Sequence, residues 1–295
     1  MPQRDLEETI ISGRGRLKIA VIPLRGVIVD DPSSPSPMRG GSKEVGARVF
    51  EKLVERLLSD KNICGTVLKI NSPGGMATAS EALYTATKEL QSRMSVVAYV
   101  ESVCASGAYM TSVGADLIVA PPAAIIGSIG VILHHMDISE GLAKIGVKAE
   151  AIKSAELKDA GSMYHPLSND ARAYLQEIVD ESFVRFKTIV LDNRRITDVG
   201  EATSAKVFHA QRAKNLGLID VIGNFEEAKQ QILGLIFKTH PEFEHELISW
   251  IEFKRRHSFL EQALGGLSGL TNPLLSTLDL TKFIDNPGLW YIWRP

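Results

Sequence analysis

Three short stretches place Ser or Gly residues directly after apolar runs, where the chain must turn. They are Asn71-Ser72-Pro73-Gly74-Gly75, Ala105-Ser106-Gly107 and Gly127-Ser128-Ile129-Gly130. Adjacent glycines let a ligand approach backbone N–H groups closely, and a helix that begins near Ser106 would aim unpaired N–H groups at the same point. A hydroxyl beside backbone donors is the arrangement that attack on a carbonyl requires.

A serine hydroxyl becomes an effective nucleophile when a base removes its proton, and the sequence leaves three possibilities open. The first base is a histidine, for which His134 and His135 come next after Ser106. The second is a lysine, whose pKa burial would have to lower from about 10.4 to between about 7 and 8, at a cost of ~4 kcal/mol. In the third there is no base, and the glycines only bind an oxyanion.

Taken one at a time, these residues have simpler interpretations. Ser106 is typical of a helix N-cap, Ser128 of a turn residue, and Gly74-Gly75 of a tight turn. Lys158 is typical of a solvated loop lysine that pairs with Asp159. A catalytic interpretation therefore depends on the combination and not on any single residue.

Alternating strands and helices would position these stretches. Apolar runs predict strands over 17–22, 63–70, 96–100, 117–120, 129–133 and 147–152. Apolar residues at helical spacing or helix-ending glycines predict helices over 43–59, 78–94, 106–112, 138–145, 169–193, 208–216, 225–237 and 241–264. This β-α-β alternation predicts an α/β fold with a largely parallel sheet that has helices packed on it.

Composition narrows the class of protein. Hydrophobic residues make up 44% of the 295 residues, which is enough for a sizeable core, and the net charge of -2 gives no electrostatic reason to expect nucleic acid. The two cysteines, Cys64 and Cys104, lie in apolar surroundings and predict buried thiols in a reducing compartment. No metal-ligand cluster or phosphate-binding loop is evident, so we expect no cofactor.

The N-terminal sequence is polar and shows no signal peptide or transmembrane anchor. Residues 30–42 are rich in Pro, Gly and Ser and predict an exposed loop. The last thirty residues carry many Leu, Trp and Tyr residues, too much apolar surface to leave in water, and we expect them to pack on a neighbouring chain or a membrane surface. The expected location is cytoplasmic, with peripheral membrane contact through this tail as one option.

In their order and spacing, the three stretches together with Leu157-Lys158-Asp159 closely resemble the signal peptide peptidase A family of Ser/Lys serine proteases. The resemblance covers about residues 17–235. Ser-Pro-Gly-Gly alone is shared with the wider Clp protease and crotonase superfamily, whereas the group of motifs is specific. The resemblance implies a fold of stacked Clp protease/crotonase-like β-α-β units, here in the short, single-copy form.

The resemblance also implies a role for each site residue. Ser106 would be the nucleophile, Lys158 the general base, and Ser128 the residue that orients the lysine. The backbone N–H groups of Gly74 and Gly107 would form the oxyanion hole, and Gly75 would keep its turn open.

Further expectations follow from the same resemblance. Residues 1–15 would be an N-terminal lead-in, 16–237 the peptidase domain, and 238–295 a C-terminal helical and apolar extension. We expect a homo-oligomer, in which Ser106 and Lys158 act either within one chain or across two neighbouring protomers, as the short form of the family allows. The expected substrates are signal peptides or other short, unfolded or membrane-derived peptides. Family members usually carry an N-terminal membrane anchor, which this sequence does not show, so misfolded or membrane-derived fragments fit better than signal peptides.

Two competing functions remain at this stage. A crotonase-like enzyme acting on acyl thioesters would use the same backbone donors without Ser106 or Lys158, but it needs a pocket for coenzyme A that the sequence does not reveal. A catalytically silent scaffold or membrane-partner protein would have no chemical need for the set of Ser106, Ser128 and Lys158.

Overall fold

The computed structural model describes residues 6–32, 44–255 and 290–292 of the chain. Its strands are β1 (Leu6–Ser12), β2 (Leu17–Arg25), β3 (Val27–Val29), β4 (Glu44–Gly46), β5 (Ile63–Ser72), β6 (Gly74–Met76), β7 (Ser95–Ala105), β8 (Leu117–Ala120), β9 (Ile125–Gly127), β10 (Val207–His209), β11 (Val221–Ile222), β12 (Ile248–Arg255) and β13 (Trp290–Ile292). Its α-helices are α1 (Ala47–Ser59), α2 (Ala77–Gln91), α3 (Gly107–Ser112), α4 (Ser139–Lys144), α5 (Asn169–Asn193), α6 (Val199–Ala202), α7 (Ala210–Asn215) and α8 (Phe225–Thr239). Short 3-10 helices span Glu156–Asp159 and Pro241–Phe243.

The main sheet is mostly parallel. Its strands follow the order β1-β12-β2-β5-β7-β8-β11, and β9 pairs in parallel with the end of β7. Only β1, against β12, and β10, against β9, run antiparallel to a neighbour among the described strands of this sheet. The predicted α/β class with a largely parallel sheet is confirmed.

Helices cover both faces of this sheet because side chains alternate along each strand. On one face, Val67 and Val97 pack with Ile232 and Ile236 of α8. On the other, Leu68, Ala98 and their neighbours join a larger core with the buried faces of α1, α2 and α3. Residues buried on both sides of the central strands explain why β5 and β7 appear in the sequence as nearly continuous apolar runs.

A second, smaller sheet carries the glycine-rich stretch. Its order is β13-β6-β3-β4, so β6 lies between β3 and β13. Strand β3 runs parallel to β6, and β13 runs antiparallel to it. Residues 27–29, which follow β2 after Gly26, thus leave the main sheet and pair with β4 and β6 instead.

Two predictions at the ends of the chain are wrong within the described residues. The lead-in 1–15 contains strand β1, and the predicted helix 241–264 contains strand β12, which lies between β1 and β2 in the main sheet. The physical reason is a period of two, because Ser249, Ile251 and Phe253 are buried while Trp250 and Glu252 are only partly buried. The predicted tail lies outside the described residues except for β13.

Three internal predictions also need correction. Residues 129–133 and 147–152 do not form strands, apart from one bridge at Ile132, because neither run joins the strands of the two sheets within the described part of the chain. The helix predicted from residue 208 begins at Ala210, since Val207–His209 pairs with β9. The loop predicted over 30–42 lies mostly outside the described residues. Across the described ranges, every helix is too short or too polar to cross a bilayer.

Candidate active site

Parallel pairing of β7 and β9 brings Ser106 and Ser128 to neighbouring positions. The last paired residues are Ala105 and Gly127, and each serine is the next residue of its strand. The Ser106 N–H donates to the Gly127 carbonyl over 2.7 Å, and this hydrogen bond holds the end of β7 against the end of β9. Both serines are buried, with 1% of Ser106 and 7% of Ser128 exposed. The sheet thus brings together two of the predicted catalytic residues.

Ser106 has a backbone conformation that few side-chain-bearing residues adopt. Its φ is 53° and its ψ is −122°, at the point where β7 ends and α3 begins. Its side chain makes no N-cap hydrogen bond, so the N-cap interpretation of the sequence is wrong. The hydrogen bond that the Ser106 hydroxyl makes within the described residues is a long one, 3.5 Å to the Gly130 carbonyl. The hydroxyl is therefore only weakly engaged.

Register also brings the glycine-rich turn to Ser106. Ser72 of β5 pairs with Cys104 of β7, and Gly74 and Ser106 each follow two residues later. Helix α3, whose first residue is Gly107, contacts β6, whose first residue is Gly74. The two glycines predicted to supply the oxyanion hole therefore lie on elements that touch each other beside Ser106.

The Gly74 N–H already has a partner, which the sequence analysis did not foresee. It donates to the Ser72 Oγ over 3.1 Å, and Ser72 is 1% exposed. This short-range bond closes a turn in which Gly74 has a φ of +97°, a conformation that favours glycine. A serine two residues before a glycine, with proline between them, is a recognisable signal for such a turn.

Gly75 is required by close approach of the chain. A Cβ at this position would lie 1.9 Å from the carbonyl oxygen and 2.5 Å from the amide nitrogen of Ile28 in β3. These are backbone atoms of a paired strand and cannot move aside as the end of a flexible side chain could. The glycine allows β6 to pair closely with β3, and this pairing fixes the position of the Gly74 turn.

Cys104 is the other potential nucleophile near Ser106. It is fully buried, and burial raises the pKa of its thiol to about 12. The thiol therefore stays protonated at neutral pH and does not compete with the serine hydroxyl. Cys64 and Cys104 are both free thiols, although Cys64 is only half-buried.

Lys158 is exposed to solvent, in contrast to the buried Ser106 and Ser128. It sits in the 3-10 helix Glu156–Asp159 and makes no side-chain hydrogen bond or ion pair within the described residues. The expected pairing with Asp159 is not found, because the Asp159 carboxylate binds Lys153 at 3.0 Å and His165 at 2.9 Å. No described contact joins Lys158 to Ser106.

The segment around Lys158 exposes apolar side chains. Every residue from 132 to 158 is exposed or only partly buried. Its exposed apolar residues are Ile132, Met136, Ile145, Val147, Ile152 and Leu157. A contiguous segment with this much apolar surface is typical of a surface that another molecule covers.

Deep contacts fix the helix that follows Ser106. Tyr109 is fully buried and its hydroxyl donates to the Leu218 carbonyl over 2.8 Å. Arg194 holds the nearby loop through two hydrogen bonds to Asp220, of 2.8 and 2.9 Å. These long-range contacts could not be predicted from the sequence, since nothing in the spacing of Tyr109, Arg194 and Asp220 indicates that they meet.

Comparisons with known proteins place these residues in context. The model described as Peptidase family S49 matches residues 88–234, which include Ser106, Ser128 and Lys158. A Methanocaldococcus jannaschii protein with a provisional protease name is 36% identical over 198 residues, 66% of this chain and 64% of that protein. An Enterococcus faecium protein provisionally named signal peptide peptidase SppA is 31% identical over 225 residues, 75% of this chain and 64% of that protein. The matched part of the chain thus spans a little less than two thirds of the length of each relative.

One solved structure extends over most of the chain at low similarity. It is a membrane-bound stomatin-specific protease in complex with a substrate peptide, with 15% sequence identity and a TM-score of 0.47. The alignment covers 86% of this chain and 99% of that one.

Proposed function

We propose that this chain, which belongs to peptidase family S49, is a serine endopeptidase with a Ser106/Lys158 dyad. The observation that carries the proposal is the position of Ser106. It is buried beside Ser128, strained in backbone conformation, weakly engaged through its hydroxyl, and close to two glycines whose N–H groups could receive an oxyanion. Strained residues with free hydroxyls are typical of nucleophiles at sharp strand-to-helix turns.

The proposed reaction is acyl transfer through an ester. The Ser106 Oγ attacks the scissile carbonyl carbon while its proton passes to the neutral Lys158 amine. The carbonyl oxygen takes up negative charge between the N–H groups of Gly74 and Gly107. Lys158 then gives its proton to the leaving amine, and water repeats the sequence to release the acyl group. Because Gly74 already donates to Ser72, the oxyanion would share that N–H with the Ser72 hydroxyl.

We assign the base to a neighbouring protomer. A lysine can act as base only if an apolar environment makes its neutral form accessible, and within one chain Lys158 is exposed. The apolar side chains around it would be covered if this segment packed against a second copy. Such packing would bring Lys158 to a partner's Ser106 and Ser128 and desolvate it in the same step. The Ser128 hydroxyl could then accept from or donate to the amine and fix its direction.

The substrates that fit this site are extended polypeptides. The glycine-rich strand β6 lies beside Ser106, and a strand presents its backbone to a partner chain. Most of a folded protein's backbone is already paired in its own secondary structure and is not free to pair with β6. Short, unfolded or membrane-derived peptides, including cleaved signal peptides, are therefore the proposed class.

The test is turnover of a fluorogenic peptide and of casein by matched variants. We expect Ser106→Ala and Lys158→Ala to lose activity by ~10³-fold or more, because removal of either member of a dyad leaves only substrate binding and the oxyanion donors. The control is Lys153→Ala, which removes a nearby lysine that pairs with Glu156 and Asp159. Turnover that survives in Ser106→Ala or Lys158→Ala, with folding intact, would contradict the dyad.

A mixing experiment tests the shared site. Ser106→Ala chains keep their lysine and Lys158→Ala chains keep their serine, so a mixed oligomer would contain some complete sites. We expect partial recovery of activity after subunit exchange. Absence of recovery, with exchange demonstrated by labelled subunits, would show that the residues act within one chain or not at all.

A further inference from the structure

Strand β13 occupies the free edge of the glycine-rich strand. It pairs antiparallel with β6 in the register Trp290 to Met76, Tyr291 to Gly75, and Ile292 to Gly74. It also contacts α3, the helix that begins directly after Ser106. Residues from near the end of the sequence therefore lie against the backbone that the proposed function assigns to substrate.

The other edge of β6 cannot serve a substrate, because β3 already pairs with it through Ile28 and Gly75. Only the edge that β13 covers could accept an extended peptide. A strand edge with unpaired N–H and C=O groups is a ready template for such a peptide, which binds through backbone hydrogen bonds. The chain thus places its own strand on the one edge of β6 that a substrate could use.

We infer that residues 290–292 are a built-in competitor for the substrate strand, and that a substrate peptide must displace them and pair antiparallel with β6 in their place. The inference rests on the proposed function, since it assumes that β6 binds substrate.

The balance between competitor and substrate is set by two opposing effects. Three residues can form only a short ladder, and each backbone hydrogen bond contributes a net stabilisation of about 0.5–1.5 kcal/mol. A longer peptide can make more contacts than this strand, so displacement is feasible. Because β13 is covalently attached, however, it competes at a higher effective concentration than a free peptide of the same sequence. We therefore expect inhibition that strong or abundant substrates overcome.

A disulfide tests the pairing directly. Residues directly opposed in an antiparallel pair have Cα atoms about 4.5–5.5 Å apart, within the range that a disulfide spans. We expect the variant Met76→Cys/Trp290→Cys to form an intrachain disulfide on mild oxidation, identified by peptide mass spectrometry. Failure to form it, or a disulfide that joins two chains, would overturn the arrangement.

The same variant tests occlusion. With the disulfide closed, β13 cannot leave, and we expect cleavage of a short fluorogenic peptide to be at least tenfold slower than after addition of reductant. The control is Met76→Cys alone, which should respond equally little to oxidant and reductant. An oxidised double variant that cleaves as fast as the reduced one would overturn the inference.

A binding experiment separates this inference from the peptidase proposal, because it needs no turnover. The probe is a fluorescein-labelled peptide with the sequence of residues 288–293, and the protein is the Ser106→Ala full chain with or without a proline in β13. Successive N–H groups of a strand point in opposite directions, so one of Tyr291→Pro and Ile292→Pro must remove an N–H that faces β6.

We expect at least one of these proline variants to bind the probe about threefold or more tightly than the parent, by fluorescence anisotropy. Tyr291→Ala and Ile292→Ala, which keep the backbone N–H, should bind it less tightly than the proline variant that gains affinity. Equal affinity in the parent and both proline variants would overturn the inference even if the chain proves to be an active peptidase. Tighter binding with no turnover in any form would support the inference and contradict the peptidase proposal.

Discussion

Ser106 and Ser128 lie one residue beyond paired strands, and both have a φ of about 50°, at 53° and 50°. A positive φ at a residue with a side chain costs about 1–3 kcal/mol and persists only where the surrounding structure imposes it. The two serines of the proposed site are thus held at a similar, unfavourable positive φ at the ends of the same pair of strands.

The first prediction concerns this strain. Ser106→Gly should be more stable than Ser106→Ala by about 1 kcal/mol. Glycine relieves the strain of the positive φ, which alanine keeps, and this gain exceeds the larger conformational entropy that glycine loses on folding. The free energy of unfolding in urea measures this difference. Ser128→Gly should likewise be more stable than Ser128→Ala. Both Ser106 variants should be inactive. An alanine variant as stable as the glycine variant would show that the positive φ carries no strain.

The second prediction assigns a positioning role to Ser72. Ser72→Ala removes the acceptor of the Gly74 N–H, so the turn that holds this donor loosens. We expect kcat to fall by roughly tenfold or more with little change in KM, since a misplaced oxyanion donor weakens only the transition state. Ser249→Ala is the control: its hydroxyl bonds Gly15 at the far strand β12, so stability should drop by about 1 kcal/mol while kcat stays unchanged. Equal kcat values in Ser72→Ala and Ser249→Ala would contradict the positioning role of Ser72.

The third prediction concerns acid stability. Hydrogen bonds from Arg25, and also from Lys69, hold the pKa of the Glu101 carboxyl below its ordinary value. A carboxyl whose pKa is lower in the folded state stabilises the fold above its ordinary pKa, which is 4.5 for Glu101, and that contribution is lost as the pH falls through the folded value. We expect wild type to lose stability more steeply than Glu101→Gln below about pH 4.5, and Glu101→Gln to be less stable by about 1–2 kcal/mol at neutral pH. Curves of unfolding free energy against pH that run parallel for the two proteins would contradict this role of Glu101.

The fourth prediction concerns the thiols. Because burial raises the pKa of Cys104 to about 12 and that of Cys64 in the same direction, both remain protonated at about pH 8 and react poorly with alkylating reagents. Native protein treated with iodoacetamide should show no labelling of Cys104 and slow labelling of half-buried Cys64 by mass spectrometry. Denatured protein should label at both. Rapid native labelling of Cys104 would mean that the Ser106 turn opens readily.

The fifth prediction compares two glycines. Gly75→Ala places a Cβ against the backbone of Ile28 and should cost about 3 kcal/mol of stability, with loss of activity. Gly234→Ala in α8 is the control, because a Cβ there meets nothing within 4 Å and alanine favours the helix by about 0.5–1 kcal/mol. Thermal unfolding should move in opposite directions for the two variants. A stable, active Gly75→Ala protein would rule out the close approach.

Local signals predicted much of the fold. The helix over 169–193 and the strand over 117–120 were predicted with the bounds that the structure has. The helix has strong periodicity and an N-cap, since the Ser168 side chain accepts from the Ala171 N–H. The meeting of the stretches that carry the candidate site residues was also predictable, because parallel strands end at the same edge of a sheet.

Other features depend on contacts that no local pattern encodes. Apolar runs at 129–133 and 147–152 suggested strands, yet among the described residues only Ile132 forms a bridge. The whole of 147–152 is exposed, whereas Ile129 is buried in the core without belonging to a strand. Strand β12 was taken for a helix because its charges obscured a period of two. The exposure of Lys158 agrees with its interpretation as a solvated lysine, but its pairing with Asp159 is not found, because the Asp159 carboxylate contacts Lys153 and His165 instead.

The position of strand β12 in the sheet affects how the chain folds during its synthesis. β1 and β2 are separated only by residues 13–16, yet they do not pair with each other, and β12 fills the place between them. At 5–20 residues per second, the roughly 230 residues from β2 to the end of β12 take on the order of 10–50 s to synthesise. For that interval the nascent chain carries an unfinished edge on β2, where other nascent chains or a holdase chaperone could attach.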